Sequence, residues 1–94
     1  MKTRIWLDLC HSGGGAFVSL SKEFDGYVWP RLRHEKLNFV IAVYHDKGTL
    51  TAEAQAVVWY PEDSVIVISC ANITYDSVDE MEAEAEILRA RGWE

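Results

Sequence analysis

Hydrophobic and polar residues alternate near the start of the chain with the two-residue period of a β-strand. Ile5, Leu7 and Leu9 fall on one face and Arg4, Trp6 and Asp8 on the other. Residues 3–10 therefore read as a half-buried strand with Trp6 on its wetter side. His11-Ser12-Gly13-Gly14-Gly15 ends it, because three consecutive glycines do not hold regular structure cheaply. Ala16, Val18 and Leu20 then alternate with Phe17, Ser19 and Ser21, a second strand that forms a hairpin with the first. Asp25-Gly26 is a hairpin-type turn leading into Tyr27-Val28-Trp29. Pro30 stops that strand or confines it to an edge.

Residues 31–36, Arg31-Leu32-Arg33-His34-Glu35-Lys36, read as a charged connector. The run from Leu37 to Tyr44 is almost wholly apolar and β-branched in its middle, which predicts a strand in the interior of the sheet. Asp46-Lys47-Gly48 turns the chain. Between residues 49 and 60, Leu50, Ala52, Ala54, Ala56 and Val58 alternate with Thr51, Glu53 and Gln55. The alanines favour helix, but the strict alternation and the Val57-Val58-Trp59-Tyr60 ending favour strand. Pro61-Glu62-Asp63 is a turn, and Ser64 to Cys70 a central strand. The last segment has the grammar of a helix: Ser77 with Glu80 makes a capping box, and Gly92 stands where a C-terminal cap is needed. Val78, Met81, Ala85 and Leu88 form one apolar stripe at helical spacing, expected to lie on the sheet.

The pattern predicts a single α+β domain over residues 1–94: an antiparallel sheet of about five strands with one C-terminal amphipathic helix on one face. A chain of this length buries about 60–65% of its unfolded surface, enough to fold without staples. Charge sharpens the picture. From Asp76 to Glu94 seven acids stand against Arg89 and Arg91, a net of −5, whereas residues 1–75 carry eight acids and seven bases, a net of −1. Such a balance opposes nonspecific binding to nucleic acid or an anionic membrane. No apolar run approaches the about 20 residues that span a bilayer, and Asp8 interrupts the N-terminal segment before it resembles a leader. The expected compartment is cytoplasmic, where Cys10 and Cys70, sixty residues apart, are expected to be reduced thiols.

Candidate chemistry is sparse. Cys10, His11, His34, His45 and Cys70 are metal-ligand types, but they lack the close pairs of a structural zinc site. The His11–Gly15 turn could aim backbone N–H groups at an anion; it has neither a nucleophile elbow nor a Walker lysine beside it. The chain is read as non-enzymatic, with no cofactor and no metal.

Two surfaces remain. At 100° per residue Asp79, Glu82 and Glu86 cluster opposite or beside the core stripe, with Ile87, Ala83 and Ala90 between them and Glu80/Glu84. An apolar strip bordered by carboxylates has the build of an interface core with a charged rim, although a solvated face is the ordinary role of a charge run. The alternative is a small nucleic-acid- or ligand-binding domain that uses Trp29, Arg31, Arg33 and Lys36, with Trp6 or Tyr27 stacking. A self-assembling subunit, a homodimer joined through Ile87, is a third reading.

In size, acidity and its Ser77–Gly92 helix the chain resembles the small acidic phage-encoded inhibitors, anti-CRISPR proteins among them. The resemblance implies a partner with a basic surface, a nucleic-acid-binding defence complex, and an action that blocks it. The resemblance carries no motif and assigns no residue.

Overall fold

The computed structural model describes residues 1–27, 32–33, 36–37, 40–45 and 48–94. The elements are β1 (Lys2–His11), β2 (Phe17–Asp25), β3 (Leu32–Arg33), β4 (Lys36–Leu37), β5 (Val40–His45), β6 (Gly48–Tyr60), β7 (Val65–Cys70), β8 (Ile73–Tyr75) and α1 (Val78–Ala90). In the main sheet the order is β2-β1-β7-β6-β5, and β8 continues along β1 where β7 ends. β3 and β4 form a ladder of their own that takes in part of the segment read as a connector and Leu37, the first residue of the apolar run.

The class is α+β, but the sheet is mixed where an antiparallel one was expected. β1 is antiparallel to β2 yet parallel to both β7 and β8, while β6 is antiparallel to its neighbours β5 and β7. Alternation assigns each residue to a face; it carries no information on which distant strand becomes the neighbour. Here β7 arrives beside β1 at the end of the β6–β7 hairpin, and that hairpin fixes its direction.

Residues 48–60 are one strand, as the alternation favours. The register shifts between Ala54 and Ala56, and the strand changes partner there: β5 lies along Gly48–Glu53, β7 along Ala54–Tyr60. The bulge thus lets one strand serve two neighbours. The apolar run expected in the sheet interior yields β5, which is an edge strand. Ile41 and Val43 are buried all the same, because the sheet curls. Their strand comes round to border a cleft with Lys22 and Phe24 of β2, the far edge of the same sheet.

One face of the curled sheet holds the core. Ile5, Leu7 and Leu9 meet Leu20, Ile66, Ile68, Cys70, Ala52 and Ala54 there, covered by Met81, Ala85 and Leu88 of the helix. Val78, expected in that stripe, occupies the first helical position and stays 41% exposed. The helix has the caps its sequence announces. The Glu80 N–H donates to Ser77 Oγ at 3.1 Å. At the other end Gly92 N–H donates to the Arg89 carbonyl at 3.0 Å and Trp93 N–H to the Leu88 carbonyl at 3.1 Å. This is a Schellman motif, and it needs the positive φ of +95° that Gly92 adopts without strain. The motif sends Trp93 into the core beside Leu88. Glu94 then exchanges two main-chain bonds with Ser21 on the outer edge of β2.

Cys10 and Cys70 are free thiols. Burial, helped by the charge of Asp8, pushes the Cys70 thiol from 9.0 to about 11. Burial and the neighbouring Glu84 carboxylate push the Tyr75 hydroxyl from 10.0 to about 12. In both groups the folded chain holds the proton more tightly than the unfolded chain. Stability is therefore complete below pH 9 and falls as pH rises between about 9 and about 12. Urea midpoints measured at pH 8 and pH 10.5 should differ in that direction, and Cys70→Ser together with Tyr75→Phe should flatten the slope. An unchanged slope in the double variant would assign alkaline sensitivity to other groups.

Candidate functional site

The residues leading into α1, Tyr75 and Asp76, are held by contacts from the β1–β2 hairpin. Ser12 N–H donates to the Tyr75 carbonyl at 2.9 Å. The His11 ring spans the turn, with Nε2 3.1 Å from the Asp76 carbonyl and Nδ1 3.3 Å from the Gly14 carbonyl. Gly13 lies beneath that ring, where a Cβ would sit 2.9 Å from it. The glycine-rich turn is thus an anchor for the helix start. With Met81, Ala85 and Leu88 buried below, and both ends capped, the outward face of α1 is rigidly displayed.

Asp79, Glu82 and Glu86 are all exposed on that face, and Ala83 and Ala90 are exposed beside them, toward Glu80. Ile87 is half-buried, so the apolar strip among the acids is shallower than a fully presented isoleucine would make it. At 1.5 Å of rise per residue the three carboxylates stand in a row at steps of about 4.5 and 6 Å along the axis. Glu86 is paired with Arg89, whose Nη1 donates to Oε1 at 2.6 Å. Among the described residues Asp79 and Glu82 have no ion-pair partner. Glu84 turns the other way, half-buried beside Tyr75.

The described bases of the body are engaged elsewhere. Lys2 bonds Asp25, which raises the lysine pKa and lowers the carboxyl's, through that hydrogen bond first and the charge second. Arg4 lies 3.6 Å from Glu23 and donates to Ser21 Oγ at 2.8 Å. Lys22 donates to the Arg91 carbonyl at 2.6 Å. These contacts hold Lys2, Arg4 and Lys22 on the sheet and at the end of α1.

The alternative surface is largely outside the described residues. Trp29 and Arg31 lie there, and Arg33 and Lys36 are placed as backbone only, paired across the β3–β4 ladder. Tyr27 is 37% exposed and Trp6 half-buried, on the sheet face opposite the helix. The thiols and His11 form no group of three potential metal ligands among the described residues. No helix among them is long and apolar enough to cross a membrane.

The sequence reading overlooked the sheet's open face. Val58 and Tyr60 of β6 are exposed there, 45% and 46%, next to half-buried Val67 and Val65 of β7. The signal was present: Val57-Val58-Trp59-Tyr60 is apolar at every position, so one set must face away from the core whichever register is chosen. Compared with protein-family models, with curated proteins and with solved structures, the chain matches none.

Proposed function

We propose that the chain is a non-enzymatic protein-binding module whose acidic helix face occupies a basic, nucleic-acid-binding surface on a partner and blocks it. The observation that carries this reading is the row Asp79–Glu82–Glu86 on a helix fixed at both ends and along its buried stripe. Like charges at i,i+3 and i,i+4 oppose helix formation by a few tenths of a kcal/mol per pair, so the row is a small cost to the fold. Carboxylates spaced along a rigid helix present the charge pattern of a phosphate row, and because the backbone is already ordered, docking has only their side chains to fix. Its long-range field steers association with a basic partner and makes it salt-sensitive. A nucleic-acid-binding defence complex, blocked in the manner of phage-encoded inhibitors, is the partner class this chemistry fits.

The test is affinity capture from a nuclease-treated lysate of a bacterium that carries such complexes, with wild type and a Glu82→Lys/Glu86→Lys variant side by side. The wild type should retain a nucleic-acid-binding complex that the variant loses. With the captured partner purified, the variant's association rate at low salt should fall about tenfold, the range over which charge steering acts. A variant that captures the same partner equally well would refute the acidic-face assignment.

A further inference from the structure

Among the described residues the curled sheet does not close. Its two edge strands, β2 and β5, approach each other near the end of α1, and the space left between them is a cleft of about 460 Å³. That volume lies within the about 300–1,000 Å³ range of small-molecule sites. Its apolar walls are Phe24, Ile41, Val43 and Trp93, and its charged members are Lys22 and Arg91. Ile41, Val43 and Trp93 are all under 10% exposed, so those walls are built from core residues. Phe24 meets Trp93 edge-to-face with ring centroids 6.1 Å apart, which fixes both rings.

Among the described residues that line the cleft, both charged side chains are basic. Lys22 Nζ lies 5.5 Å from the centre of the Phe24 ring and gives one bond, to the Arg91 carbonyl. An ammonium has three donors, so two remain for a second acceptor. An apolar slot with a fixed cation at one end selects an apolar body that carries one acidic group. A neutral alkane leaves the ammonium without an anionic acceptor, and an amine repels it. We propose that this cleft binds a small amphipathic monoanion, an aliphatic or aromatic carboxylate, with its acid on Lys22 and its apolar part along Phe24 and the cleft-facing edges of Ile41, Val43 and Trp93. The cleft meets the outward face of α1 at Ala90, and none of Asp79, Glu82 and Glu86 lines it.

The probe is decanoate, with decanol and decylamine as controls, followed by methyl and indole resonances of isotope-labelled full-length protein. Decanoate should shift Ile41, Val43 and the Trp93 indole saturably, with decanol weaker and decylamine weakest. Lys22→Gln should weaken decanoate about tenfold while leaving decanol unchanged, as expected when one charge-assisted bond is lost. Because Lys22 also holds the Arg91 carbonyl, Ala90→Trp supplies the second arm: it fills the cleft from an exposed helix position and should abolish binding in a protein with an unchanged spectrum elsewhere. The proposal is overturned if decylamine binds as well as decanoate, if the shifts fall on Val58 and Tyr60 of the open face, if no probe saturates, or if Ala90→Trp binds decanoate normally.

Discussion

Replacing Trp93 by alanine is expected to lower the unfolding free energy by about 3–5 kcal/mol, the usual range for a buried tryptophan. For a domain of this size that is a large part of a total of about 5–10 kcal/mol, and the melting temperature should fall by about 15–30 °C. The size of the effect follows from the position of this side chain. Trp93 is the penultimate residue and is only 3% exposed. Its backbone closes the helix through the bond to Leu88, its ring contacts Phe24 of β2, and Glu94 beyond it bonds Ser21 in both directions. One residue therefore couples the helix end to the edge of the sheet. Guanidinium unfolding followed by circular dichroism measures the loss. Trp93→Phe should retain most of the stability. Gly92→Ala should cost only about 1–2 kcal/mol, for the positive φ alone. A loss below about 1 kcal/mol in Trp93→Ala would mean that the C-terminal turn is not docked in solution.

That coupling was only half legible in the sequence. Ser77, Glu80 and Gly92 announced the helix and both its caps, because capping depends on side chains within a few residues of one another. The fate of Trp93 depends on Leu20, Phe24 and Leu88 together, and no local pattern records that. The same division runs through the sheet. Ile5, Leu7 and Leu9 declare a buried face by their period alone. The parallel pairing of Ile5 with Ile68 joins residues far apart in the chain, so a hairpin-by-hairpin reading defaults to an antiparallel sheet. β5 was misplaced for a related reason. A continuous apolar run signals burial on both faces, and a curled edge strand achieves part of that burial without an interior position.

The acidic row was legible because it lies on one helix, where spacing gives direction: Asp79, Glu82 and Glu86 are exposed as the 100° rotation requires. Ile87 is half-buried, a depth that spacing along the helix alone does not give. The cleft was not legible at all. Lys22, Ile41 and Trp93 come from three elements at the two ends of the sheet order, and each reads separately as an ordinary strand or terminal residue.

Two adjacent residues of β1 give the sharpest test of which face is the core. Leu7→Ala should destabilise by about 2–5 kcal/mol, since Leu7 is fully buried and pairs with buried Leu20. Trp6→Ala removes a much larger side chain, yet it should cost less than half as much. Trp6 is half-buried on the open face, where its cross-strand partners are Ser21 and Ser69 and water closes over the gap. Buried area and cavity formation decide the order, and side-chain size would reverse it. Chemical denaturation of both variants at one pH separates the possibilities. Should Trp6→Ala prove the costlier, the open face would be covered in solution. Concentration-dependent unfolding would then identify a second copy as the cover, because stability gained by association scales with protomer concentration. An equal dependence in wild type and Tyr60→Lys would remove the open face from that role.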